Sequence, residues 1–228
     1  MLSAIALTPS APVLVPALAG AATREVAQFR DAAVAAAREL PDRWIAVGVG
    51  GSDGVFGPET RGSFGGYGAE VEVALSRDAP GTVTALPLCA LITGWLRGLA
   101  NPAAQAEVRV YGADYEPEAA FDLGRRLRAK IDRVGEPVGV LVVADGATSL
   151  TAAAPGGHDP AAAAMQDELD DALAAGDVAA LASVSSVAAG RVAYQVAAGL
   201  VDPGPRSATE LARGAPYGVG YFVGVWSP

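Results

Sequence analysis

One histidine, His158, and one cysteine, Cys89, are all the imidazole and thiol that this chain of 228 residues contains. Imidazole is the usual general base near neutral pH, and imidazole and thiolate are the usual ligands of zinc, copper and catalytic iron, so most familiar catalytic schemes are closed here. Three local patterns remain. Gly50-Gly51-Ser52-Asp53-Gly54 fits the G-x-S-x-G nucleophile elbow after an apolar run, but an elbow needs a helix at once, and Val55-Phe56-Gly57-Pro58 does not supply one. A hydrolase built on Ser52 would have to draw His158 from far along the chain, so a Gly-rich turn is the simpler reading. Gly48, Gly50 and Gly54 miss the dinucleotide spacing by one residue. Asp114, Glu116 and Glu118 have the oxygen chemistry of a hard-cation site, yet they read better as carboxylates facing a helix N-terminus.

Cys89 lies in Pro87-Leu88-Cys89-Ala90-Leu91, where a thiol is a small buried hydrophobe. His158 stands just before Asp159-Pro160, which reads as an N-cap with proline at the first helical position, so the histidine is a loop residue beside a helix start.

Composition narrows the partners. The formal charge is −9, and sixteen basic residues include a single lysine, Lys130. The cluster Arg125, Arg126, Arg128, Lys130 and Arg133 reads as one solvated helix face, which leaves no basic stripe for nucleic acid. Hydrophobic residues make up 51% and charged residues 18%, yet no apolar run approaches the ~20 residues of a membrane span. Pro9, Pro12 and Pro16 interrupt the apolar start, which has no basic flank, so a signal peptide is not expected and the cytoplasm is the expected place. The Ala, Gly, Val and Arg bias suggests a GC-rich bacterial genome.

The elements that would position these residues alternate. Apolar strands are expected at Leu2–Leu7, Trp44–Val49, Glu107–Tyr111, Val138–Ala144 and Tyr217–Trp226, with a half-exposed edge strand at Glu70–Val73. Helices are expected over Ala22–Leu40, Leu86–Leu99, Glu116–Arg133, Ala161–Ala174, Val178–Val184 and Arg191–Leu200, and the Gly-rich stretch 50–68 is expected to be a long loop. Strands apolar throughout, separated by helices, indicate one α/β domain over residues 1–228: a mixed, mostly parallel sheet with helices on both faces.

Four segments then acquire a common meaning. Pro9-Ser10-Ala11-Pro12 follows the first strand, Ser52-Asp53-Gly54 the second, Asp145 to Pro160 the Val-rich strand, and Pro216-Tyr217-Gly218-Val219-Gly220-Tyr221 precedes the last. In order and spacing the chain resembles the class III extradiol ring-cleavage dioxygenases, the LigB-type superfamily. The resemblance implies iron(II) held by two histidines and a carboxylate, with a further acid-base histidine. It places Ser10 and Asp53 where the ligand histidines stand, Thr148 where the acid-base histidine stands, and leaves Glu210 as a carboxylate candidate. All three imidazoles are replaced.

A binding pocket of Ser10, Asp53, Asp145 and Thr148, with no metal and no cofactor, is therefore the leading expectation, and Asp145 and His158 are the remaining catalytic candidates. The ligand expected is a small aromatic or other small molecule. Two other readings stay open: an active ring-opening enzyme using Fe(II) with unusual ligation or a hydrolase using Ser52 and His158, and a structural role in a homo-oligomer.

Overall fold

Each central strand divides its side chains between two cores. In β1 (Leu2–Thr8), Ile5 and Leu7 pack on one face of the sheet and Ala6 on the other. The period-2 alternation of a strand demands this wherever both faces are covered. The computed structural model describes residues 1–228. After β1, the elements run α1 (Pro16–Ala19), α2 (Ala27–Arg38), β2 (Arg43–Gly50), β3 (Gly54–Phe56), β4 (Arg61–Ser63), β5 (Glu72–Ala74), β6 (Val83–Thr84) and α3 (Leu88–Ala100). They continue as β7 (Gln105–Gly112), α4 (Pro117–Asp132), β8 (Val138–Val143), α5 (Ala162–Ala175), α6 (Val178–Ala182), α7 (Arg191–Val201), β9 (Ser207–Gly214) and β10 (Tyr221–Ser227).

The main sheet has the order β3-β7-β2-β8-β1-β10-β9. β7, β2, β8 and β1 pair in parallel, while the contacts β3–β7, β1–β10 and β10–β9 are antiparallel. Four of the five apolar strands expected from the sequence are the parallel strands β1, β2, β7 and β8 and the fifth is β10, and the chain is a mixed α/β sheet flanked by helices. Cores of 29 and 27 buried residues lie on its two sides, so neither face is left bare. One contains residues of α2 and α3, the other residues of α4, α5 and α7. No helix is long and apolar enough to cross a membrane.

Some expected boundaries move. The stretch 50–68 carries β3 and β4, three residues each and too short to show a period. Glu72–Ala74 pairs with β4 as an edge strand, as its alternation indicates, and the sheet it edges is a separate three-stranded one of order β5-β4-β6. β9 is absent from the sequence reading because its pattern is broken. Val223 pairs with Ala212 and Gly224 with Glu210, so Leu211 is an extra, exposed residue, and this bulge removes the alternation that marks a strand. The basic cluster lies on α4, with Arg125 bonded to Asp202 and Arg128 to Asp132, and Glu116 stands at the N-cap of that helix.

Candidate functional site

Four parallel strands deliver their C-terminal ends, and the loops that follow, to one edge of the sheet. In open α/β sheets this edge is the usual place for a ligand. Thr8, Gly50, Gly112 and Val143 are the last residues of β1, β2, β7 and β8.

Asp145 lies two residues beyond β8. Its Oδ1 accepts the Ser10 backbone N–H at 2.9 Å, bringing two of the expected pocket residues together. It forms no ion pair, and burial pushes its carboxyl up to about 7 from the ordinary 3.8, with only the Ser10 N–H opposing. The residue is nevertheless half-buried rather than sealed. Two phenols stand near it. Tyr194 donates to the Ala144 carbonyl at 3.0 Å, while Tyr221, 4% exposed, makes no side-chain hydrogen bond and packs edge-on against Phe29. Burial, then the charge of Asp145, pushes both phenols up.

The loop carrying Asp145 is pinned from outside the sheet. Gly146 donates to the Gly220 carbonyl and Gly220 to the Ala147 carbonyl, each at 2.8 Å, and Leu150 donates to Gly218 at 3.1 Å. Gln166 on α5 closes the joint: its Oε1 accepts the Ala147 N–H at 2.7 Å, and its Nε2 donates to Asp170 at 2.8 Å. A Cβ on Gly146 or Gly220 would overlap the Gln166 amide, so both positions require glycine for close approach. Gln166→Leu is expected to lower stability by about 2 kcal/mol, because it leaves the buried Ala147 N–H without a partner; chemical denaturation at pH 7 measures it.

The other expected pocket residues do not join Asp145. Asp53 is held on the far side: its Oδ1 accepts the Gly112 N–H at 2.9 Å and its Oδ2 the Tyr115 hydroxyl at 2.5 Å. Asp53 is thus tied to the end of β7 and Ser10 to the loop after β8, and strands β7 and β1 are three strand spacings, about 14 Å, apart. The expectation that they converge is corrected. Asp53 instead borders an open cleft of ≈ 440 Å³ with Asp114, Tyr115 and Glu116. Thr148 is half-buried in the pinned loop, where its carbonyl accepts the Gly156 N–H at 2.8 Å, and its hydroxyl is not bonded to Asp145.

His158 bridges Leu150 in the same loop, and no hydrogen bond joins it to Ser52. Asp159 accepts the Ala161 N–H at 2.9 Å just before α5. Glu210 lies in edge strand β9, 3.4 Å from Arg213, away from the strand ends, and so does not supply a carboxylate to the site.

Cys89 sits in the first turn of α3, packed so tightly on Gly48 of β2 that a Cβ there would overlap it. Burial pushes its thiol up to about 11, with the backbone N–H groups of Ala90 and Cys89 opposing, so a thiolate is scarce at neutral pH. Native protein is expected to resist alkylation by iodoacetamide at pH 8 over times that fully label urea-unfolded protein; equal labelling rates would contradict this placement.

The donor set does not fit the iron that the resemblance implies. No three His, Cys, Asp or Glu residues converge on one point. Asp53 already accepts two hydrogen bonds, Asp145 accepts one, and His158 is tied into a loop bridge. Tyr221, Tyr194, Thr8 and Gln166 are residues of this region that no sequence pattern marks; the segment ending at Tyr221 carries the resemblance, but nothing in it marks a phenol without a side-chain hydrogen bond.

No protein-family model matches the chain, and comparison with curated proteins finds no match. Among solved structures the chain is similar to an uncharacterized protein of Escherichia coli, with a TM-score of 0.58 and 14% sequence identity over 99% of this chain and 100% of that one. At that identity the likeness concerns the fold alone, and it extends over the whole α/β arrangement that carries the strand-end site.

Proposed function

We propose that this chain is a histidine-depleted, extradiol-dioxygenase-like protein that binds a small molecule in the crevice at the strand ends and performs no iron-dependent ring opening. One observation carries the reading. Three of the four segments behind the resemblance, those containing Ser10, Asp145 to His158 and Gly218 to Tyr221, are tied to one another by hydrogen bonds around a single carboxylate. The frame that would position a ligand is in place, while the donors that would hold iron(II) are hydroxyls and occupied carboxylates, which suit hard cations better than iron with open coordination sites. Elemental analysis after anaerobic loading with ferrous iron and desalting tests it. The expected result is far less than one iron per chain; a stoichiometric content retained through desalting would contradict the reading.

A further inference from the structure

Two of the three tryptophans donate their indole N–H to a carbonyl, Trp44 to Pro41 and Trp226 to Leu173. The third, Trp95 in α3, is only 9% exposed, and its N–H has no hydrogen-bond partner in the chain. Two guanidiniums beside it also keep donors free. Arg97, 7% exposed, donates Nε to the Ala74 carbonyl at 2.8 Å and Nη1 to the carbonyls of Pro102 and Ala104 at 2.9 and 3.4 Å. Its Nη2 makes no bond, and no carboxylate pairs with it. Arg61 in β4 donates Nη2 to Glu72 at 2.9 Å, while its Nε is buried without a partner.

The fold brings these donors together. Arg61 and Ala74 are cross-strand partners in the small sheet, and the Ala74 carbonyl is the acceptor of Arg97, so both guanidiniums flank one residue pair. Arg61, Glu72, Trp95 and Arg97 line one open cleft of ≈ 310 Å³, together with Gly98 and the half-exposed Leu99. A Cβ on Gly98 would meet nothing within 4 Å, so the last turn of α3 leaves room for a guest. This cleft is remote from the strand-end crevice. α3 starts on the crevice side, with Cys89 against Gly48, and finishes at the opposite edge of the sheet, where Arg97 reaches Ala104 just before β7 begins.

Part of the arrangement is structural. Arg97 ties the end of α3 to β5 and to the loop before β7, and a cation there complements the helix C-terminus. That role uses Nε and Nη1 and leaves Nη2. Burial pulls the Arg97 guanidinium below its ordinary value, yet arginine stays charged, and a charge drawn out of water is offset by a partner of opposite sign. Two guanidiniums against the single Glu72 carboxylate leave the cleft one positive charge in surplus, which matches a monoanion.

We propose that this cleft binds a small monocarboxylate. Its oxygens accept hydrogen bonds from the free Arg97 Nη2 and the Trp95 indole N–H beside the Arg61 guanidinium, and its apolar body lies along Leu99. The site is separate from the strand-end crevice and does not depend on what that crevice holds.

Isothermal titration calorimetry on the full chain in dilute Tris buffer at pH 7.5 tests it, with butyrate and benzoate against butanol, benzyl alcohol and inorganic phosphate. Each carboxylate is expected to bind at least about tenfold more tightly than its matched alcohol. Phosphate, partly a dianion, is expected to bind more weakly than benzoate, because its second charge meets Glu72. Arg61→Met should weaken the carboxylates about tenfold, and Trp95→Phe, which keeps a ring and removes the donor, roughly threefold. Gly98→Leu should abolish binding by filling the hollow, with thermal unfolding checking that each variant keeps its fold. Alcohols binding as tightly as carboxylates, phosphate binding more tightly than benzoate, or carboxylate affinity unmoved by Arg61→Met or by Gly98→Leu would each overturn the assignment.

Discussion

Replacing Gly199 with alanine is expected to destabilise the protein by about 3 kcal/mol or more, the largest effect of any single methyl group in this chain. Gly199 on α7 and Gly124 on α4 face each other where the two helices cross. A Cβ on Gly199 would overlap the Phe121 carbonyl oxygen, and one on Gly124 would overlap that of Val196. The obstructing atoms belong to helical backbone, so no rotamer change relieves the clash, and the helices must separate. Separation would disturb the core that buries Val192, Val196 and Leu200. For a domain of this size the loss corresponds to a fall in Tm of roughly 6–12 °C. Gly98→Ala on α3 is the control: its Cβ would meet nothing within 4 Å, so the higher helix propensity of alanine should stabilise by about 0.5–1 kcal/mol. Thermal unfolding of both variants checks the contrast, and a Gly199→Ala protein as stable as the parent would contradict the close crossing.

Asp145→Asn is expected to stabilise the protein at pH 8 and to do little at pH 4. With its carboxyl raised to about 7 from 3.8, the native state keeps a proton that the unfolded chain releases between those values. The native state therefore binds more protons in that window, stability falls as pH rises from about 4 to about 7, and the deficit is constant above it. Asparagine removes the ionisation while its carbonyl oxygen still accepts the Ser10 N–H, so the gain at pH 8 should be about 2–4 kcal/mol, or roughly 5–15 °C in Tm. Denaturation of both proteins at pH 4, 6 and 8 measures it. A gain independent of pH, or a loss at pH 8, would show that Asp145 is ionised at little cost.

The central strands were legible because their residues are apolar on both faces and bounded by turns. Trp44–Val49 and Val138–Ala144 could hardly be read otherwise, and once four such strands alternate with helices the layered sheet follows. β9 was hidden by the bulge at Leu211, and β3 and β4 by being shorter than one period of any pattern. At the site, Ser10 and Asp145 were found because each follows a recognisable strand. Asp53 misled for the same reason: its position after β2 is clear, but a side chain can turn to either neighbouring strand, and the free Gly112 N–H and the Tyr115 hydroxyl draw it to β7. Glu210 has no local pattern that places it, because the strand that carries it, β9, is an edge strand interrupted by a bulge. The role of Gln166 depends on two loops and a helix meeting, which no local pattern encodes.

Oxygen consumption tests most directly the proposal that the frame around Asp145 performs no iron-dependent ring opening. Purified protein, loaded anaerobically with ferrous iron and then mixed with catechol, protocatechuate or a larger catechol in air-saturated buffer, is expected to take up oxygen no faster than iron in buffer alone and to form no yellow ring-opened product. Oxygen uptake stoichiometric with the catechol, accompanied by that product and abolished by Asp53→Ala or Asp145→Ala, would contradict the account and establish the chain as a dioxygenase with unusual ligands.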